Sequence, residues 1–578
     1  MKKVYIILAV CLAGILCFAG CAQQNSGTPT EATQGEATTQ AATTQAEAAT
    51  QAEATTQAEA ATQAETTAQA TSGEQTATGE GPNLKYAEPI TITGVRPANA
   101  LTMADLDFED NPWTKLYLDN HNIILKYLWI VDNAKYDERV NLSIASGEMP
   151  DFARVTDIQF QQLYEAGLTS DVQDVYDNYS TDITKEFISE HGQIVFDASS
   201  RNGRLQAIPF TVMTKEGAPS LIINSDWLEK AGMEAINSVD DLETLIQKAS
   251  EMQFGGVSYS FPLTSDLGLF KTFAAMFNSY PTIWITLPDG TLGNGAVQPE
   301  TRDALLKFQE WYKNGWLDPE FGTKDSGKFL EDITAGKVGI NAGGFGAALY
   351  QYQSLKNNQP DFELSFFPMP CVNGNFKSPH NVGILGYWVI NPKCEHPEAF
   401  SLMMNWWMKI FYTSKDAEEG RTYINGDDGS EIWDFAFPQA YRAFKNYDQS
   451  VSIKNWLEGT ESFEDLTADT KNVADSITRY QEGDNSMWAW ANIYPPNKGF
   501  TGVEAYLKYD GFIVNSFYGA PTETMMSKRE ILQKLIDETY TNIIRGADIS
   551  TFDNMVTQWN ALGGADMTDE VNEWNRNK

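Results

Sequence analysis

Ile90-Thr91-Ile92-Thr93-Gly94-Val95 is a run of mostly β-branched residues, the composition of a strand. Residues 112–120 follow and open on Pro112, whose fixed φ suits the first turn of a helix. Residues 123–131 make a second apolar run, residues 137–146 an amphipathic helix that stops at Gly147, and residues 151–155 a third short strand. Strand, helix, strand, helix, strand is the order of an α/β layer with a largely parallel sheet. Ligands of such sheets sit beyond the carboxyl ends of the strands. The loops after Val95, Val131 and Val155 are therefore the first places to look for a site.

The theme continues toward the C-terminus. Leu221-Ile222-Ile223 reads as a strand leading into a helix over 227–231. Residues 301–314 read as a helix with Leu305, Leu306, Phe308, Trp311 and Tyr312 on its apolar side. Val338-Gly339-Ile340 reads as a strand running into the glycine turn Gly343-Gly344-Phe345-Gly346. Strands are expected at 363–367 and 386–390, and helices at 396–408, 531–544 and 550–562. The residues from 83 to 578 are too many for one ordinary core, so two lobes are expected.

The N-terminal end has a different logic. Lys2 and Lys3 precede an apolar run from Val4 to Leu16, which is too short for a comfortable membrane span and has the layout of a signal peptide. The run ends in Leu16-Cys17-Phe18-Ala19-Gly20-Cys21. Small residues before a cysteine resemble a bacterial lipobox, with Phe18 standing where Leu is usual. This predicts a signal peptide over 1–20 and lipidation of Cys21. Two or more acyl chains hold a protein stably at a membrane surface, where one does not. From Gln23 to Gly81 the chain is nearly all Ala, Thr, Gln, Glu, Ser and Gly. Gln-Ala-Glu recurs every six residues from Gln45 to Glu65, and no Lys or Arg occurs between Lys3 and Lys85. Such a segment cannot bury enough surface to offset its ordering entropy. Residues 21–83 are expected to be a disordered tether spanning roughly 40–45 Å.

A net charge of −37 and the lack of a basic stripe exclude nucleic acid as a partner. Of five cysteines, only Cys371 and Cys394 lie in the body. They could pair in an oxidising compartment, although free thiols are the expectation. His121, His191, His380 and His396 have no zinc-ligand spacing, so no metal is expected.

Several strings resemble family 1 extracellular solute-binding proteins, the capture components of ABC-type sugar transporters, and in particular their long lipoprotein subgroup. They are Ile144-Ala145-Ser146-Gly147-Glu148-Met149-Pro150-Asp151, Gly203-Arg204-Leu205-Gln206-Ala207-Ile208-Pro209, and Asn224-Ser225-Asp226-Trp227-Leu228-Glu229-Lys230-Ala231-Gly232. Tyr312-Lys313-Asn314-Gly315-Trp316-Leu317-Asp318-Pro319-Glu320-Phe321, Gly336-Lys337-Val338-Gly339-Ile340 and Glu570-Val571-Asn572-Glu573-Trp574 complete the series, in the family's order. The resemblance implies an α/β, two-lobe periplasmic-binding-protein-like (type II) fold with an interlobe cleft and hinge. It implies a body over 84–578, with lobe 1 at roughly 84–215 and 384–425 and lobe 2 at roughly 220–380 and 430–578. The implied function is capture of an oligosaccharide or other small solute by a monomer. That monomer would be lipid-anchored at the extracellular face of the cell membrane and would deliver cargo to permease subunits. Relatives often carry an Asp-rich calcium loop, but Met252-Gln253-Phe254-Gly255-Gly256 lacks those carboxylates, so no cofactor is expected.

Sugar recognition needs aromatic faces for pyranose C–H faces, and carboxylates, amides or guanidinium groups for hydroxyl pairs. Most aromatic residues are core; Trp311 and Trp559 lie on helical apolar stripes. The candidate ligand-binding residues are those on loops at strand ends: Arg96, Asp107, Trp113, Thr156, Asp157, Phe210, Asp266, Phe345, Trp388 and Trp488, the last near Trp490. In the family the turn matching Phe345 contributes an aromatic ring to the cleft. No catalytic residue is assigned, because no nucleophile-elbow, zinc-protease or phosphate-loop string occurs. The alternatives are a secreted glycoside hydrolase-like enzyme and a lipid-anchored adhesion protein.

Overall fold

The computed structural model describes residues 77–98, 107–374, 376–426 and 430–578. The signal segment, Cys21 and the tether as far as residue 76 lie outside the described residues. The body begins before residue 84. Thr78 and Lys85 exchange backbone hydrogen bonds of 2.9 and 2.8 Å, and Gly81–Asn83 forms one 3-10 turn between them.

The expected alternation is present. β1 (Ile90–Ala98), α1 (Pro112–His121), β2 (Ile123–Asp132), α2 (Tyr136–Ser146), β3 (Phe152–Val155), α3 (Asp157–Glu165) and β4 (Ile208–Thr211) follow in order. The chain then crosses to a second lobe with β5 (Ser220–Asn224), β6 (Ile340–Gly343) and β7 (Leu364–Phe367). The strand expected at 338–340 thus begins only at Ile340. The chain returns through β8 (Ser378–His380) to β9 (Ile384–Ile390) and α4 (Ala399–Thr413). It crosses a last time to α5 (Lys445–Leu457), β10 (Phe512–Val514) and α6 (Glu523–Ile544).

The lobe 1 sheet has the order β2-β1-β3-β9-β4. β1, β2 and β3 run parallel, as expected, but β9 is antiparallel to both β3 and β4. The lobe 2 sheet, β6-β5-β7, is wholly antiparallel, so the largely parallel layer extends no further than the first three strands. Ile92, Phe152, Phe210, Trp388 and Trp407 form a core on one face of the lobe 1 sheet. Val95, Tyr136, Val155 and Phe160 form a smaller core on the other face. Leu221, Ile222, Trp311, Ile340, Trp488 and Tyr540 belong to the single core of lobe 2. Fully burying an aliphatic or Phe side chain of this size contributes about 1.5–3 kcal/mol.

One boundary differs from expectation. Ile432, Phe435, Phe437 and Ala440 pack into the lobe 1 core, not into lobe 2. Three indoles hold this segment by its backbone. Trp113 Nε1 donates to Ile432 O at 3.1 Å, Trp388 Nε1 to Gln439 O at 2.8 Å, and Trp407 Nε1 to Ala440 O at 2.6 Å. The last crossing therefore lies at 441–446. Cys371 and Cys394 are free thiols, the first in the lobe 2 core and the second against the lobe 1 core.

Candidate functional site

Register identifies the sheet edges that face each other. In lobe 1, Tyr387 pairs with Val155 and Ile384 with Thr211. The ends of β1, β2, β3 and β4 and the start of β9 therefore share one edge. Two crossings join lobe 1 at that edge, from Thr211 and into Ile384. In lobe 2, β5 starts just after the first crossing, and Ser220 pairs with Gly343 while Leu221 pairs with Phe367. The turn after Gly343 and the end of β7 thus lie at the near edge of lobe 2. The space between the two edges is the candidate site, consistent with ligand sites beyond strand ends in open α/β sheets.

The three crossings lie side by side. Val212 N donates to Gly383 O at 3.0 Å, and Thr211 Oγ1 to Tyr441 O at 2.7 Å. Glu216, fully buried in the first crossing, fixes the third. Its carboxylate accepts from Asn446 N at 2.8 Å, Asn446 Nδ2 at 2.6 Å and Tyr447 N at 3.1 Å, and so caps the start of α5. Burial pushes the Glu216 carboxyl up to about 7, against the opposing pull of these bonds and of Lys445. His191 and His380 flank the crossings, and burial pushes both imidazoles down to about 4. With Lys215, Thr214 and Asn381 they line a cavity of about 20 Å3, room for a water.

On the lobe 2 side, Phe345 is half-buried, with its ring stacked on Phe500 at 4.7 Å and 11°. Tyr447 meets the buried Phe500 edge-on at 5.8 Å. The turn carrying Phe345 comes so close to the first crossing that a Cβ on Gly344 would lie 2.9 Å from Gly217 O, hence glycine there. On the lobe 1 side, Asp157 forms a 3.4 Å ion pair with Arg529 of α6, joining the lobes across 372 residues of chain. Both side chains are nearly half exposed, so the pair contributes at most about 1 kcal/mol.

The sequence-derived candidates divide into three groups. Thr156, Asp157 and Phe345 stand at the facing edges; Thr156 also caps α3, with Oγ1 accepting from Gln159 N at 3.2 Å. Arg96, Trp113, Phe210, Trp388 and Trp488 are buried, and in this conformation they pack the lobes instead of meeting a ligand. Arg96 donates to Asp434 O at 2.9 Å and lies 4.4 Å from the Phe108 ring centroid. Trp113 and Trp388 hold the 432–440 segment, Phe210 packs edge-on against Trp388 at 5.8 Å, and Trp488 Nε1 donates to Glu363 Oε2 at 3.2 Å. A large apolar ring whose N–H finds a partner inside the protein is driven into a core, whatever the loop that carries it. Asp107 and Asp266 are exposed away from the edges. Asp107 adjoins Glu109, which binds the outer side of β2 at Tyr127 N. Asp266 follows Ser265, whose N–H is bonded to Lys324 O. Lys324 pairs with Asp332, and Asp332 with Lys337 near the far end of β6.

Arg154, Glu216, Tyr441 and Tyr447 at the same edges were not anticipated. Tyr441, Phe444 and Tyr447 recur every third residue through the last crossing, and this spacing is the one signal that could have marked it.

No family model matches the chain. Lipoprotein LipO of Bacillus subtilis is 25% identical over 37% of this chain, and the match spans 43% of LipO. The polygalacturonan/rhamnogalacturonan-binding protein YtcQ of the same species is 21% identical over 78% of this chain and 85% of its own. The substrate-binding protein FusA of Streptococcus pneumoniae, solved as an EF-hand mutant with fructo-nystose, superposes with a TM-score of 0.55. That superposition has 14% identity and covers 84% of this chain and 99% of FusA. The chain has the fold of the extracellular solute-binding proteins. In a solute-binding protein of this kind the two facing sheet edges and the crossings between them are the walls and floor of one cleft.

Proposed function

We propose that this chain is the capture component of an ABC importer. In this reading it binds an oligosaccharide between its lobes, does not cleave it, and passes it to permease subunits as a monomer at the outer face of the cell membrane. The observation that carries the reading is the pair of sheet edges facing each other across three crossings, with the Phe345 ring set at one edge. The name of YtcQ supports a galacturonan-type polymer as cargo, and the fructo-nystose bound to FusA supports a fructan oligosaccharide. These names agree on a carbohydrate while differing in charge.

Calorimetric titration of the body against an oligosaccharide panel tests the proposal, with recovered cargo checked for unchanged length. Phe345→Ala should weaken binding by about 1–3 kcal/mol, the range for ring stacking on a planar face. Its melting temperature should change little, because the ring is only half-buried on Phe500. Normal affinity in a destabilised Phe345→Ala protein would make the ring a cap on Phe500 and nothing more.

The proposed anchor is a lipid on Cys21. Cys21→Ala should abolish incorporation of a labelled fatty acid and move the protein from the membrane fraction to the medium. Membrane retention of the unlabelled variant would contradict the anchor.

A further inference from the structure

Arg154 is the penultimate residue of β3, at the lobe 1 edge of the cleft. Its side chain crosses the neighbouring strand β9 over Gly386, where a Cβ would meet Arg154 Cγ at 3.4 Å. The guanidinium carbon lies 5.0 Å from the Phe210 ring centroid and 5.2 Å from that of Tyr136. Phe210 belongs to the core on one face of the sheet and Tyr136 to the core on the other. A group within contact of both rings sits where the two faces meet, at the open edge of the sheet. Phe210 also packs edge-on against Tyr441 of the last crossing at 5.8 Å, which places the group beside the cleft floor.

Two aromatic rings orient a guanidinium through cation–π attraction but do not use its N–H donors. Among the described residues no carboxylate pairs with Arg154 and no acceptor takes a hydrogen bond from its side chain. Its donors are open to water, and the lack of a protein partner is unexpected in a chain with 78 acidic residues against 41 basic ones. The Asp157 carboxylate, three residues along the chain, is engaged by Arg529 from the opposite lobe. A planar fork with free donors at a cleft edge is suited to bidentate pairing with a carboxylate.

We infer that Arg154 is a specificity-determining residue that binds a sugar carboxylate, so that the cargo is an oligosaccharide containing uronic acid. The inference rests on the oligosaccharide reading above and adds the charge of the cargo. The acidic surface does not oppose it, because charges farther away than about 8 Å are screened at physiological ionic strength.

The test is titration with short oligomers of galacturonate, glucuronate and mannuronate, each beside its uncharged methyl ester, and with neutral fructan and galactan oligomers. Wild type should bind at least one acid at least about tenfold more tightly than its ester, with the preference shrinking as salt rises. Arg154→Gln should abolish that preference, with the loss of affinity falling on the acid and not on the ester. Arg154→Lys should keep part of it, as a charge without the fork. Esters or neutral oligomers bound as well as acids would overturn the inference alone, as would an undiminished preference in Arg154→Gln. No binding of any oligosaccharide would overturn it together with the reading on which it rests.

Discussion

Trp488→Ala should cost the fold about 3–5 kcal/mol, the range for truncating a fully buried aromatic residue. Trp488 has no exposed surface. Its ring packs against Phe362 at 5.9 Å, Lys356 Nζ lies 5.7 Å from its centroid, and its N–H donates to Glu363 Oε2 at 3.2 Å. Alanine leaves a cavity in the lobe 2 core and removes that hydrogen bond, and neighbours held by Phe362 and Tyr352 cannot collapse into the space. Denaturant titration should show an earlier midpoint, and calorimetry below the new transition should show cargo affinity close to wild type. Phe345→Ala should give the opposite pair of results, and the contrast between the two variants separates packing rings from contact rings. Unchanged stability with lost affinity in Trp488→Ala would return the indole to the cleft wall.

The contrast between these two rings also marks the limit of what the sequence discloses. β1 through β3 were legible because a strand that alternates with an amphipathic helix leaves a period in the sequence, and the ends of these strands do lie at the cleft edge. The Gly343-Gly344-Phe345-Gly346 turn was legible for a similar reason, since glycines report where backbone passes close to backbone. Burial of a loop aromatic leaves no such trace. Trp113, Trp388 and Trp488 lie in segments that read as loop ends or strand edges, yet each is fixed by an acceptor 51 to 319 residues away. The indole bonds of Trp113, Trp388 and Trp407 carry residues 432–440 into lobe 1, so the last boundary had no local marker. Arg154 escaped notice because its significance is an absence of partners, and that becomes visible only when every neighbouring carboxylate has a position.

Glu216 is the extreme case of a partnership invisible in sequence, since its bonds to Asn446 and Tyr447 span 230 and 231 residues. It also sets a pH dependence whose sign follows from burial. The carboxyl rises from 4.5 to about 7 in the fold, so between those values the folded chain holds a proton that the unfolded chain has released. This stability is fully present below 4.5 and is lost as pH rises through about 7, a change on the order of 3 kcal/mol. Glu431, also pushed up to about 7 by burial and by Asp434, adds a decline of the same sign. His191 and His380, pushed down to about 4, act oppositely. They stay neutral in the fold while the unfolded chain takes up protons below 6.5, so stability falls with acid from 6.5 toward 4. Glu216→Gln removes the titration and keeps one oxygen for the Asn446 and Tyr447 backbone amides, at the loss of the second acceptor that faces Asn446 Nδ2. The stability of Glu216→Gln minus that of wild type should therefore climb in favour of the variant between about pH 5 and 8, because contributions from Glu431 and the two histidines cancel in the difference. Glu216→Ala strips three buried donors of their acceptor and should be destabilised by about 3 kcal/mol or more. That loss would loosen the start of α5 from the first crossing. Chemical denaturation of the three proteins across this pH range decides the matter. A difference between Glu216→Gln and wild type that is flat with pH would mean that the carboxyl ionises in the fold as it does in water, and that the bonds from Asn446 and Tyr447 outweigh its burial.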